Sequence, residues 1–205
     1  MTAHDLLTRF VRDRTGSVAE FALILPLFLL FFLGIIDAGR YAYAFNQGEK
    51  ATQTGARWTV VTNPVAPQLS SWSLNGASVS TGTLIQGDRI PADALDPITC
   101  SSTECTGTGN VPSGLGAPDA TAFVSLATRM QEIWPEIEDS NIEVVYRGSG
   151  LGYAGNPDGM DVAPFVTVRL KDMSFTSLLL FGATVSLPDF AYTLTMEDGQ
   201  GTQSN

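Results

Sequence analysis

From Phe21 to Ile36 the chain runs sixteen residues without a charge, bounded by Glu20 on one side and Asp37 on the other. As a helix this stretch measures roughly 24 Å at about 1.5 Å per residue. A bilayer's hydrocarbon core asks for about 30 Å, or some 20 residues. Val18, Ala19 and the flank from Ala38 to Ala44 supply the difference, which sets Glu20 and Asp37 near the two interfaces. Pro26 lies inside the run, where a membrane helix tolerates proline with a kink. Gly34 and Gly39 are ordinary in such helices. Ahead of the run stand His4, Arg9, Arg12 and Arg14 against Asp5 and Asp13. The positive-inside rule puts this leader in the cytoplasm and everything after about Ala38 outside.

The outer part is acidic. Beyond Ala38 there are eight Lys and Arg against seventeen Asp and Glu, so nearly all of the formal charge of −10 lies there. Such a surface repels nucleic acid and suits a soluble exported domain. Three fates are open to the apolar segment: a cleaved secretory signal, an uncleaved anchor, or a pilin-type signal cut ahead of the apolar run. Secretory signals carry an apolar region of about 7–15 residues and then an A-x-A-like site. Ala42-Tyr43-Ala44 offers such a site, but Asp37 and Arg40 intervene and the apolar run is long.

The helix is expected to continue past the membrane. No proline occurs between Tyr41 and Val61, and Tyr41, Phe45, Ala51, Gly55 and Trp58 fall near one another on a helical wheel. Ala44, Gly48, Ala51 and Gly55 make a stripe of small residues. Such a stripe admits a close neighbour, either another subunit or the chain's own globular part. Asn63-Pro64 ends the helix, because a residue before proline is pushed out of helical geometry. The result is one helix of roughly 40 residues, about 60 Å at the helical rise.

Residues 63–118 change character. Gly, Ser, Thr and Pro punctuate them and apolar residues come singly. Ser70–Ile90 offers one or two short strands built on Trp72, Leu74, Val79, Leu84 and Ile85, and the remainder reads as a variable excursion. Cys100 and Cys105 sit in this region. In an oxidising compartment the pair reads as a small disulfide, with free thiols as the alternative. A zinc site lacks ligands, since the one histidine, His4, belongs to the leader.

The last third has regular periodicity. Asp119 is placed to cap a helix reaching Trp134, with Phe123, Leu126, Ala127, Met130, Ile133 and Trp134 on one face and Pro135 as its stop. Ile142–Arg147, Pro164–Leu170 and Leu187–Met196 alternate as strands, with Ile142, Val144 and Tyr146, then Val166, Val168 and Leu170, then Phe190, Tyr192, Leu194 and Met196 facing inward. Gly148-Ser149-Gly150-Leu151-Gly152 reads as a hairpin loop and not a nucleotide loop, because Gly155-Asn156-Pro157 follows where a helix would have to open. Asn156, Asp158 and Asp161 offer oxygen ligands for weak calcium binding but lack an EF-hand pattern. Leu178-Leu179-Leu180-Phe181 is too short to span a bilayer. It is either a buried connection between strands or an exposed apolar patch for a membrane surface or a protein partner. The fold class is therefore α+β: a long N-terminal transmembrane helix extending into a small exported domain with one further helix and an antiparallel sheet. The divisions are 1–16 as leader, 17–62 as helix, 63–118 as the variable region and 119–205 as the exported α+β region.

The junction Gly16-Ser17, then Glu20-Phe21-Ala22-Leu23-Ile24-Leu25-Pro26, then Gly34-Ile35-Ile36-Asp37-Ala38-Gly39-Arg40 and Gly55-Ala56-Arg57 together resemble the TadE-like pseudopilin family of tight-adherence, or Flp-type, pilus systems. The likeness spans about 45 residues, from Asp13 to Val61. It implies a minor pilin-like component of a bacterial inner membrane, single-pass, with its N-terminus cytoplasmic and its C-terminal domain periplasmic. A prepilin peptidase would cut between Gly16 and Ser17, and partners would be other pilus assembly proteins or pilins met through the N-terminal helix. Glu20 stands fourth after Gly16, where the family's usual pattern has its acid fifth. A carboxylate there is suited to pair with the new amine of Ser17, its own or a neighbour's, since a lone charge in lipid costs at least a few kcal/mol. The bland reading leaves Glu20 among the headgroups. The exported part has no histidine, which removes Ser-His-Asp and most metal-hydrolase schemes. The expectation is a protein with no enzymatic activity, no cofactor, no metal and no small-molecule substrate. The reading from a different class is a signal-anchored or secreted binding domain unrelated to pili.

Overall fold

The computed structural model describes residues 16–157 and 159–197. A single helix, α1, runs Gly16–Thr59 and passes through Pro26 without a break. The shorter α2 covers Ala120–Gln131. The described residues hold nine strands, in chain order β1 Ser78–Val79, β2 Gly82–Thr83, β3 Ile98–Cys100, β4 Cys105–Gly107, β5 Ile142–Arg147, β6 Phe165–Leu170, β7 Ser174–Thr176, β8 Thr184–Ser186 and β9 Phe190–Thr195, the first four of them ahead of α2. The class is α+β. By contacts the chain divides into two units. One takes the chain up to Tyr43 with Phe175–Val185, and the other takes Ala44–Ser174 with the chain from Ser186.

In the larger unit, five strands form an antiparallel sheet in the order β4-β3-β5-β6-β9. Alternation sets its register. Val144 pairs with Val168 and Tyr146 with Val166, while Leu170 pairs with Phe190. All of these are buried. The opposite face is polar: the hydroxyls of Thr167 and Thr193 meet at 2.8 Å, and Glu143 receives Arg169 at 3.2 Å and Lys171 at 3.1 Å. Near the sheet's buried face the Tyr146 hydroxyl accepts the Val65 N–H at 2.7 Å.

The Asp119 side chain accepts the Ala122 N–H at 2.9 Å and starts α2 as expected. The helix stops at Gln131, three residues before Trp134. Trp134 turns back with its N–H on the Met130 carbonyl, and Pro135 prevents continuation. Phe123, Leu126, Ala127 and Met130 are buried as the stripe required. Ala44–Thr59, the C-terminal part of α1, is a core element of the larger unit. A Cβ on Gly48 would overlap the Phe190 ring, and one on Gly55 would lie 2.9 Å from Met130 Sδ and 3.0 Å from Leu126 Cδ1. In this half the small stripe serves the chain's own packing.

Residues 63–118 hold more structure than their composition suggested. They supply β1 and β2 as a two-stranded hairpin, and β3 and β4 as one margin of the main sheet. Of the five strand candidates only Val79 is in a strand; Leu74 and Leu84 are buried in irregular segments. Cys100 and Cys105 are directly paired across β3 and β4 and joined as a disulfide. The segment 148–164 is a long connection held by isolated bridges, Arg89 to Tyr153 and Gly152 to Val162. Asp161 organises it. Its carboxylate accepts N–H groups from Leu74 at 2.7 Å, Gly155 at 2.9 Å and Asn156 at 2.8 Å, and the Ser73 hydroxyl at 3.2 Å. Burial raises the Asp161 pKa, but these donors outweigh it and hold the group below its ordinary 3.8. Asp158, named with it as a calcium candidate, lies outside the described residues.

Candidate functional site

The site begins with the lower half of α1. Among the described residues it is the one helix long and apolar enough to cross a membrane, by length and composition. Its apolar side chains from Phe21 to Ile35 are almost all exposed, with Leu23 at 79% and Phe31 at 69%. A water-soluble protein rarely leaves so continuous an apolar surface bare. The helix is thus a candidate membrane anchor.

Where the apolar run ends, Asp37 is buried and fully engaged. Its Oδ2 accepts the Ser177 hydroxyl at 2.6 Å and the Leu179 N–H at 2.7 Å. Its Oδ1 accepts the Leu178 N–H at 3.1 Å and one guanidinium N–H of Arg40, also at 3.1 Å. These are charge-assisted bonds to an ionised acceptor, the stronger kind. The tip they hold belongs to the hairpin of β7 and β8. Arg40 adds two contacts, donating to the Thr176 carbonyl at 3.3 Å and lying over the Phe175 ring at 5.1 Å. Tyr41 meets the same ring edge-on at 5.8 Å. Leu179 lies beside Gly34, one turn below Asp37, where a Cβ would sit at an ordinary contact distance of 3.8 Å from its Cδ2. Asp37 and Arg40 therefore share one task, seating the hairpin on the helix.

The sequence-derived site residues fall in different places. Gly16 and Ser17 occupy the first turn of α1. Glu20 is exposed, and no ion pair among the described residues includes it. Cys100 and Cys105 are in the other unit and take no part in the Asp37 constellation. Leu178–Phe181 is not a buried connection. Leu178 and Leu180 are half exposed and Phe181 is 96% exposed. The Asp37–Ser177 latch was not anticipated. Its one advance signal was an acid at the end of an apolar run, a position that demands a partner.

These features define an α+β domain carried on a candidate single-pass anchor, with a hairpin latched to the anchor by a carboxylate. Residues 16–57 match the family described as TadE-like protein, a segment that coincides with α1 almost end to end. No curated protein and no solved structure matches the chain.

Proposed function

We propose that this protein is a membrane-anchored, pilin-like component of a tight-adherence pilus apparatus, acting in pilus assembly or secretion. The observation that carries the reading is the TadE-like match over residues 16–57, which covers both the apolar half of α1 and the latch residues Asp37 and Arg40. The basic leader argues for a cytoplasmic N-terminus, and the Cys100–Cys105 bridge suits an oxidising exterior such as the periplasm. In this reading the protein works through helix and subunit contacts and not through chemistry on a substrate. Its partners are the inner membrane, a prepilin peptidase, and pilins or assembly proteins that meet the exposed half of α1. Cleavage between Gly16 and Ser17 would place a new amine three residues from Glu20, and in low dielectric the two charges would seek each other or a neighbour's equivalents.

The test is mass spectrometry of the protein from its own cell, together with gene deletion. A mature N-terminus at Ser17 and loss of pili or surface attachment on deletion are expected. An N-terminus at Phe45 would mark a secreted protein instead, and normal piliation in the deletion strain would remove the assembly role.

A further inference from the structure

The β7–β8 hairpin carries a feature that neither its own strands nor the fold requires. From Met173 to Pro188 the chain has no ionisable side chain, although it is acidic elsewhere and Asp172 and Asp189 flank this stretch. At the tip, seven successive N–H groups each have an acceptor within the chain. Ser177 donates to the Ala183 carbonyl, Leu178 and Leu179 to Asp37, and Leu180 to the Ser177 hydroxyl. Phe181 donates to the Leu178 carbonyl, Gly182 to that of Ser177 and Ala183 to that of Leu180. A turn in water has no need of this completeness, since solvent satisfies what the chain does not. In lipid an unsatisfied N–H costs several kcal/mol.

The side chains point the same way. Leu178, Leu180 and Phe181 are exposed, while Leu179 lies against Gly34, inside the apolar run of α1 and below Asp37. Phe181 has φ of +52°, a region that bulky residues rarely adopt and that Gly or Asn would fill at less cost in a water-facing turn. A phenylalanine in that conformation, exposed at the tip, gains nothing from the protein around it.

We propose that the tip of the hairpin, Leu178–Phe181, is immersed in the outer leaflet beside α1, making a second point of membrane contact that Asp37 holds at the correct depth. Leu179 joins the tip to the apolar run of α1 at Gly34, so a bilayer that covers the run reaches the tip. The proposal does not depend on the pilus reading; it requires only that α1 be in lipid.

The experiment uses the full chain in vesicles of phosphatidylethanolamine and phosphatidylglycerol whose acyl chains are brominated near the headgroup. Phe181→Trp is compared with Phe28→Trp on the helix and Val124→Trp on the exposed face of α2, each as a difference from the wild-type emission. The added indole at position 181 should lose emission to bromine as position 28 does, and resist aqueous iodide, while position 124 should do the reverse. Iodide quenching at 181 with bromine quenching at 28 overturns the proposal and leaves the anchor standing. Protection from both quenchers at 181 also overturns it, and points to a protein partner. Leu180→Trp repeats the measurement at a position with ordinary backbone geometry.

Discussion

The phenol of Tyr146, in the middle strand of the sheet, accepts the N–H of Val65, just beyond the end of α1, at 2.7 Å. Tyr146 is fully buried, opposite Ile98 and Val166 in the neighbouring strands, while its oxygen satisfies a buried main-chain donor. Burial raises the phenol's pKa well above its ordinary 10.0, against the opposing pull of the Val65 and Ala66 N–H groups, so the hydroxyl stays neutral. Tyr146→Phe keeps the ring and strands that donor. Its expected cost is about 1–3 kcal/mol, the penalty for a buried unsatisfied group, read as a lowered midpoint in denaturant titration of the full chain in detergent.

The Asp37 latch makes a prediction about local order and not about global stability. Asp37→Ala removes the acceptor for three hairpin groups at once, Ser177 Oγ and the N–H groups of Leu178 and Leu179. Chymotrypsin should then cut at Leu178–Phe181 much faster in the variant than in the wild-type protein in detergent, while the disulfide-bearing domain stays resistant. Equal cleavage rates would show that the hairpin is held by something else.

Asp161 sets an acid limit on the larger unit. Its folded pKa lies below the ordinary value, so the stability it contributes is complete above the ordinary carboxylate range. That stability is lost as pH falls through the ordinary 3.8 toward the depressed folded value. The wild-type melting temperature should therefore drop between about pH 5 and the folded pKa. Asp161→Asn should melt lower at neutral pH and show a shallower decline over the same interval.

Gly48 and Phe190 allow a packing test. The Phe190 ring occupies the space a Cβ on Gly48 would take, and Phe190 is 1% exposed, so it has nowhere to go. Gly48→Ala should destabilise by about 1–3 kcal/mol through overpacking, despite alanine's better helix propensity. Gly39→Ala, where nothing lies within 4 Å, should be neutral or mildly stabilising in the same assay.

What was legible in the sequence follows from the range of the forces involved. α1, α2 and the strands β5, β6 and β9 each carry enough residues in one period to show a face, and Asp119 and Pro135 mark the ends of α2 by local chemistry. β3 and β4 have three residues each, too few to display alternation, and they exist because Ile98 and Cys100 pair with Tyr146 and Val144 far along the chain. The Cys100–Cys105 bridge was legible because the sequence holds two cysteines and they stand five positions apart. The Asp37 site was only half legible: the acid stood out, but its acceptor role depends on Ser177, 140 positions away, and on main-chain groups that carry no sequence signature.

The contact of Phe190 with Gly48, reinforced by the Glu197 N–H on the Val60 carbonyl at 3.0 Å, bears on how the protein is made. The two ends of the larger unit's core are adjacent, so the core cannot close until its last strand arrives. A ribosome adding about 5–20 residues per second needs roughly 7–30 seconds to travel from Gly48 to Phe190. Throughout that interval the C-terminal half of α1 has no Phe190 ring to cover Gly48. Any chain that stops short of Pro188 would stay in that state for good, its core open to proteases.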